Sequence, residues 1–233
     1  MKRSRKHGCQ FPWSIQFIFS WVFVFLSGIL YYFFYDPFFS IFEVRVFLTF
    51  TTSLLWILCL GFGLCLILSD PSDIRILLYK DIEKSNSVKD CRYCLVCKVN
   101  VHKESLHCKY CNKCVYRLDH HCFYVNNCIG KSNYSLYITS MILATLFSMW
   151  NWAISLYVFS TYFLDVNFFS RIKQILYIQS NEVVVCIIVI FILVSGVVWI
   201  YLTWLLHFHY LLSRRGMTSL EYTRSKKISA TLE

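Results

Sequence analysis

Four long runs without a charged residue constrain this chain more than any other feature of its sequence. The runs are residues 8–35, 46–69, 132–164 and 183–213. Each exceeds the roughly 20 residues with which an apolar helix crosses about 30 Å of hydrocarbon. We therefore predict an all-α membrane protein with four transmembrane helices, placed near residues 14–34, 46–68, 136–163 and 183–208.

The overall composition agrees with a membrane location. Hydrophobic residues make up 57% of the 233 residues and charged residues only 15%, whereas soluble domains carry about 25% charged residues. The first run is longer than the apolar core of a signal peptide, lacks a clear small-residue cleavage site and is followed by three more runs. We interpret it as a retained anchor and not as a cleaved leader.

The positive charges predict the orientation. The chain has a formal charge of +10, and its basic clusters lie in the N-terminal arm, in the loop between spans two and three, and in the C-terminal tail. Four spans place these three segments on one side of the bilayer, which the positive-inside rule makes the cytosol. Four apolar spans also exclude a nucleic-acid-binding protein.

This topology divides the chain into five parts. They are a basic cytosolic arm (1–13), a first transmembrane hairpin (14–68), a cytosolic linker and cysteine-rich zinc domain (69–135, core 91–134), a second transmembrane hairpin (136–210) and a cytosolic tail (211–233). Within the linker, mixed apolar and charged residues over 73–84 predict an amphipathic helix at the membrane surface, with a short irregular linker as the alternative.

Cysteine and histidine dominate the long loop. Eight of the twelve cysteines lie between Cys91 and Cys128, in a compartment where disulfides rarely persist, so metal binding or catalysis is favoured. The loop has too few large aliphatic residues for a core and needs a metal to fold. Its eight best ligand candidates make two Cys₃His zinc sites. Cys122 is left over, while a Cys91/Cys94 pair and His102 keep the ligand register open.

The loop resembles the cysteine-rich domain of DHHC protein S-acyltransferases. The resemblance rests on Cys94-x₂-Cys97, then His107-Cys108-x₂-Cys111-x₂-Cys114, then Asp119-His120-His121-Cys122-x₅-Cys128, and on the Asn126-Asn127-Cys128-Ile129-Gly130 stretch. Asp70-Pro71 after span two and Thr218-Ser219-Leu220-Glu221 after span four are similar to flanking motifs of this family. The topology of the family, with the motif between spans two and three, is also the one predicted here.

The resemblance implies two structural zinc ions with interleaved ligands. One ion would bind Cys94, Cys97, His107 and Cys114. The other would bind Cys108, Cys111, His121 and Cys128. In this arrangement Cys91 and His102 are not ligands.

The resemblance also implies a protein-cysteine S-palmitoyltransferase with ping-pong kinetics. Cys122 would take the acyl group from palmitoyl-CoA, with His120 as the base and Asp119 orienting it. The acceptors would be membrane-proximal cytosolic cysteines of substrate proteins. An endoplasmic reticulum or Golgi membrane follows from the family and not from a sorting signal. Cys9, beside the membrane and a basic stretch, is a candidate for palmitoylation itself.

Several positions depart from the family pattern. Phe123 and Tyr124 replace its Pro-Trp pair, Glu104 reverses a positive charge, and the tail lacks a clear C-terminal aromatic motif. The first change bears on the rim of the acyl cavity and on acyl-chain preference. The altered stretch at 101–104 and the short tail favour the competing hypothesis of a zinc-stabilised membrane scaffold with little or no activity. His207 and His209, near the end of span four, are read from the sequence as interfacial residues.

Overall fold

A computed structural model describes residues 4–77, 90–165 and 180–232 of the chain. The helices are α1 (Ile15–Leu30), α2 (Phe42–Leu68), α3 (Ile74–Leu77), α4 (Tyr134–Leu164), α5 (Asn181–Arg214) and α6 (Ser219–Leu232). A π turn (Tyr31–Tyr35) and a 3₁₀ turn (Asp36–Phe38) extend α1. Together with that extension, α1 and the helices α2, α4 and α5 are long and apolar enough to cross a membrane. The predicted four-helix membrane fold is therefore confirmed.

The described residues form two compact units, and the first one contains most of the transmembrane helical residues. It contains Trp21–Gly61 and Ser140–Leu206. Its buried core is aromatic and aliphatic, and its members are Tyr31, Phe34, Tyr35, Phe39, Ile154, Val158, Val184, Ile188 and Phe191. Large side chains in close contact hold such helices together through dispersion, because lipid gives no hydrophobic gain for helix association.

Polar side chains inside this helical unit find partners on neighbouring helices. The indole of Trp56 donates to the carbonyl of Val24 at 3.0 Å, and that of Trp150 donates to Thr52 Oγ1 at 2.8 Å. A Cβ at Gly28 would lie 2.5 Å from the indole of Trp56, so only glycine permits this approach. Pairing satisfies groups that find no water at this depth.

The second unit holds the cysteine-rich loop. It contains Met1–Ser20, Phe62–Thr139 and His207–Glu233. The loop folds into three two-stranded antiparallel hairpins, β1 (Cys91–Cys94) with β2 (Val99–His102), β3 (Ser105–Cys108) with β4 (Lys113–Tyr116), and β5 (His120–Cys122) with β6 (Asn127–Ile129). Their apolar cores are two small clusters in which cysteines are major members. Such small cores agree with the prediction that this segment needs metal to fold.

Three asparagines tie the loop after β5 to the rest of this unit. Asn127 donates to the carbonyls of Leu66, Ile67 and Ser69, at 2.7 to 3.3 Å. Asn133 bonds Ser69 Oγ and the carbonyl of Cys128. The bonds from Asn127 occupy carbonyls at the end of α2, where a helix leaves its last carbonyls without partners of its own. The side-chain amide of Asn126 donates to carbonyls of the N-terminal arm, at residues 8, 10 and 12.

The linker after α2 is fixed by two acidic side chains. Asp70 pairs with the buried amine of Lys113 at 2.9 Å. Buried Asp73 accepts from the backbone N–H of His102 at 2.9 Å and from the hydroxyl of Ser105. Of the helix predicted over 73–84, the structure has α3, and positions 78–84 lie outside the described residues. The amphipathic character of the whole segment therefore stays a prediction.

Candidate active site and metal centres

The first group of metal-binding side chains joins the first two hairpins. It consists of Cys94, Cys97, His107 and Cys114. Cys94 ends β1 and Cys97 lies in the turn that follows. His107 and Cys114 face each other across β3 and β4 as a pair of the ladder. Cross-strand partners lie about 5 Å apart at Cβ, so both side chains can reach one ion.

The second group joins the second hairpin to the third. It consists of Cys108, Cys111, His121 and Cys128. Here His121 and Cys128 form the cross-strand pair, between β5 and β6, and Cys108 with Cys111 come from the end of β3 and its turn. The middle hairpin therefore contributes to both groups. The two groups link three hairpins in series.

The separations within each group fit tetrahedral zinc. With zinc–sulfur bonds near 2.3 Å, neighbouring ligands of one ion should lie about 3.4 to 3.8 Å apart. His107 Nδ1 lies 3.3 Å from Cys97 Sγ and 3.8 Å from Cys114 Sγ. His121 Nδ1 lies 3.4 Å from Cys111 Sγ and 3.7 Å from Cys128 Sγ. Three thiolates and one imidazole are also the donor set of closed structural zinc sites.

Both Cys-x-x-Cys turns end on a left-handed residue. Lys98 follows Cys97 with a φ of 56°, and Asn112 follows Cys111 with a φ of 52°. Side-chain-bearing residues adopt this conformation infrequently and at some cost. The turn reverses the chain at this point, so that the strand after it returns beside the strand that carries the first cysteine.

Cys91 and His102, the alternative ligand candidates in the sequence, lie outside these groups. Cys91 Sγ accepts a hydrogen bond from Arg75 Nη1 at 2.6 Å. The ring of His102 packs edge-on against Tyr116, with centroids 4.5 Å apart. Neither residue belongs to the groups of potential metal ligands found among the described positions.

Strand β5 separates the second metal group from the remaining reactive side chains. Successive side chains of a strand point to opposite faces, so His121 faces one way and both His120 and Cys122 face the other. His121 belongs to the second metal group, while Cys122 belongs to neither of the two groups. The side chains of His120 and Cys122 interact directly. The structure thus brings together the nucleophile and base that the sequence predicted.

Asp119 fixes His120 and is itself held from the C-terminal segment. Its Oδ2 lies 2.7 Å from His120 Nδ1. Its Oδ1 accepts the backbone N–H of Ser219 at 2.9 Å, and the Ser219 hydroxyl also bonds Oδ2. Burial raises the pKa of Asp119, but the bonds from His120 and Ser219 lower it more, so the net pKa lies below its usual value. Asp119 is thus an anion suited to stabilising a charged imidazole.

Burial lowers the pKa of His120, but its bonds with Asp119 and Cys122 outweigh this and raise the pKa to about 9. Burial raises the pKa of Cys122, whereas His120 and the backbone N–H groups of Val125 and Tyr124 lower it further, to below its usual value. Both shifts favour proton transfer from the thiol to the imidazole. The arrangement therefore favours the thiolate of Cys122, the reactive form of the side chain, more than an ordinary cysteine does.

The Thr218–Glu221 motif has a local structural role at this site. The N–H of Thr218 bonds Glu221 Oε2 at 2.7 Å, and the N–H of Glu221 bonds Thr218 Oγ1 at 3.2 Å. This reciprocal pair is a capping box that starts α6. Gly216, with a φ of 63°, ends α5 in a left-handed turn that returns the chain. The turn and the cap together present Ser219 to Asp119.

Of the two residues that directly follow Cys122, Phe123 lies against a metal group. Phe123 is 37% exposed and its ring lies 5.0 Å from that of His121. Tyr110 stacks on His121 at 4.9 Å. The carbonyl of Phe123 accepts a bond from Ser14 at 2.5 Å, and that of Tyr124 accepts one from Ser20 at 3.0 Å. The N-terminal arm and the start of α1 therefore hold the segment after Cys122.

His209 is the residue at this site that sequence reasoning missed. The sequence pattern predicts an interfacial position, but the side chain is buried, at 3% exposure, and its ring centroid lies 5.9 Å from that of His120. Asp119, His120 and His209 together resemble a third metal group. However, Asp119 Oδ2 and His120 Nδ1, at 2.7 Å, are closer than two ligands of one zinc, about 3.3 Å apart. That distance is a hydrogen bond.

Two comparisons with known proteins bear on this site. The family model described as DHHC palmitoyltransferase matches residues 87–226, which span all three hairpins, α4, α5 and the first half of α6. A search of curated proteins finds no match to the chain.

Proposed function

Because the chain belongs to the DHHC palmitoyltransferase family, whose members transfer palmitoyl groups to proteins, we propose that it is a protein-cysteine S-palmitoyltransferase that works through an acyl-enzyme on Cys122. The observation that carries the proposal is the contact between His120 and Cys122, which belongs to neither metal group, together with the 2.7 Å bond between His120 and Asp119. Nucleophile, base and orienting carboxylate form the relay that activated-cysteine catalysis requires.

The first step forms the acyl-enzyme. Nδ1 of His120 carries the proton that bonds Asp119, so the opposite ring nitrogen accepts the proton of the Cys122 thiol. The thiolate attacks the thioester carbonyl of palmitoyl-CoA, a bond forms between Cys122 Sγ and the acyl carbon, and the bond from that carbon to the CoA sulfur breaks. The CoA thiolate takes the proton from His120 and leaves as free CoA.

The second step repeats the exchange with a different thiol. A cysteine of the substrate protein gives its proton to His120 and attacks the acyl-enzyme, which restores the Cys122 thiolate and then its thiol. Each step exchanges one thioester for another, so neither needs ATP. The two metal groups fit structural zinc, and their residues would hold the hairpins that carry Asp119, His120 and Cys122.

The bilayer supplies much of the donor's binding. Each buried methylene contributes about 0.8 kcal/mol, so a sixteen-carbon chain gains on the order of 10 kcal/mol in an apolar environment. We propose that the cysteine-rich domain and both termini face the cytosol, where CoA and acceptor cysteines are found. An endoplasmic reticulum or Golgi membrane, and acylation of the exposed Cys9, are further parts of the proposal.

The proposal is tested by incubating the purified, zinc-loaded protein with labelled palmitoyl-CoA in detergent. We expect a hydroxylamine-sensitive label that mass spectrometry locates on Cys122, with a burst of CoA stoichiometric with enzyme. Adding a cysteine peptide should discharge the label onto the peptide. Failure of a folded, zinc-loaded protein to take label would instead support a membrane scaffold without catalysis.

Removing the charge of Asp119 should slow formation of the acyl-enzyme severely. Asn at this position keeps the shape but no longer stabilises charged His120 or selects its tautomer, a loss on the order of 10⁴-fold in comparable relays. Ser219→Ala, which removes one bond to the carboxylate, should cost about tenfold. Single-turnover labelling measures both. Ser225→Ala, an exposed serine of the same helix, serves as the control, and equal rates for all variants would contradict the relay.

A further inference from the structure

A buried histidine outside the Asp119–His120–Cys122 relay touches it directly. His209 lies near the end of α5 and is 3% exposed. A ring nitrogen of His209 lies within 4.8 Å of the reactive atoms of both Asp119 and His120. A buried imidazole loses its hydration and needs partners for both nitrogens. The mechanism above gives it no role.

Two tyrosine hydroxyls of α4 occupy both nitrogens of His209. Nδ1 lies 3.1 Å from the hydroxyl of Tyr134, and Nε2 lies 3.3 Å from that of Tyr137. The tyrosines are three residues apart and so lie on the same face of their helix. A neutral imidazole has one donor and one acceptor nitrogen, and two hydroxyls can satisfy both. These bonds fix the plane of the His209 ring.

The fixed ring and Tyr137 form a wall against His120. The centroid of the His120 ring lies 5.3 Å from that of Tyr137, at a steep angle of 71°, and 5.9 Å from that of His209, at 38°. Tyr137 and His209 also contact each other edge-on, at 5.2 Å. The single hydrogen bond to Asp119 restrains rotation of the His120 ring about its Cβ–Cγ bond without locking it. The contacts with the two neighbouring rings restrict this rotation further.

We propose that His209 is a positioning residue, which with Tyr137 keeps the His120 ring turned toward Cys122. The inference rests on the proposed function, since it assigns His209 a part in activating the same thiol. His209 touches neither the donor nor the reacting sulfur in this role. Its contribution passes through the orientation of His120.

The test begins with two substitutions of His209 and a matched control. His209→Phe keeps the bulk of the ring and removes both hydrogen bonds, whereas His209→Gln keeps a donor and an acceptor. His207→Phe makes the same change at an exposed position of the same helix. At saturating palmitoyl-CoA we expect His209→Phe to lower the rate of Cys122 acylation by about 10- to 100-fold, the scale of a misplaced catalytic group.

The donor concentration for half-maximal rate should stay unchanged in His209→Phe, because His209 does not bind the donor. His209→Gln should recover most of the rate, and His207→Phe should match the unaltered protein. A purely structural role would predict no such recovery. Zinc content and elution as a single species establish that each variant is folded. If the His209→Phe protein loses zinc, the same measurements are made on Tyr137→Phe. That substitution removes only the hydroxyl that bonds His209.

A double-substitution cycle decides whether His209 acts through His120. The readout is alkylation of Cys122 by iodoacetamide, followed by peptide mass, which requires no acyl donor. His209→Phe should slow alkylation in the unaltered protein and have no further effect when His120 is already alanine. Equal slowing in both backgrounds, or none in either, overturns the proposal. If palmitoyl-CoA leaves no label at all, the proposed function fails, and alkylation still reports on positioning.

Discussion

Replacing Cys122 with serine should abolish the hydroxylamine-sensitive acyl label and all transfer to a cysteine peptide. A serine hydroxyl is far less acidic than a thiol, so His120 cannot ionise it, and the alkoxide equivalent of the thiolate does not form. Labelling with palmitoyl-CoA and release of CoA measure the loss. We expect both to fall to the level of the reaction without protein.

Cys91→Ser is the matched control for this substitution. Cys91 lies in the same domain, is partly exposed and belongs to neither metal group, so its loss should leave the label intact. Both variants should retain the zinc of the unaltered protein, because neither cysteine lies among the ligand candidates. If the Cys122→Ser protein still takes label, another cysteine carries the acyl group and the proposed mechanism is wrong.

Loss of one zinc ligand should have a still wider effect, on the whole cysteine-rich domain. Structural zinc contributes about 10 to 16 kcal/mol to the folding of small domains, and the hairpin cores here are small. Cys128 is fully buried and lies across the β5–β6 ladder from His121. We expect Cys128→Ser to lose the second ion, the alignment of β5 and the acyl label together.

Because the middle hairpin contributes ligands to both metal groups, we expect the damage to spread. If the two sites were independent, Cys128→Ser would keep one zinc ion per protein. Because they are linked, we expect mass spectrometry to find well under one ion. A strong chelator should reproduce the effect in the unaltered protein, with slow loss of activity that follows loss of metal. A Cys128→Ser variant that keeps one ion and a normal acylation rate would show that the two sites fold independently.

The sequence predicted the membrane helices and the eight clustered ligand candidates because both depend on local pattern. A span requires only enough consecutive apolar residues, and Cys-x-x-Cys spacing brings two thiolates to one ion. Spacing could not choose between Cys91 and Cys97 as the partner of Cys94. The structure pairs Cys94 with Cys97 because the left-handed residue Lys98 closes the turn there.

What the sequence could not predict depends on contacts between distant segments. His209 looks interfacial on α5 because nothing nearby in the chain marks its partners, which are tyrosines of α4 about 70 residues earlier. Likewise, the contact of Ser219 with Asp119 joins positions 100 residues apart. Only the motif resemblance suggested that Thr218–Glu221 matters, and it gave no physical reason.

The alternation of β5 sets how this domain can tolerate change. Within its three residues, His121 points to one face as a ligand candidate, and His120 and Cys122 point to the other. This division depends on the exact order and spacing of the three residues. One amino acid inserted between His121 and Cys122 would place both side chains on the same face of the strand. The sulfur of Cys122 would then point toward the second metal group. Lengthening the exposed turn at Lys103 and Glu104, which contains no ligand candidate, leaves both that spacing and the metal groups intact. Variation among natural forms of this protein should therefore concentrate in the turns without ligand candidates and spare the strand.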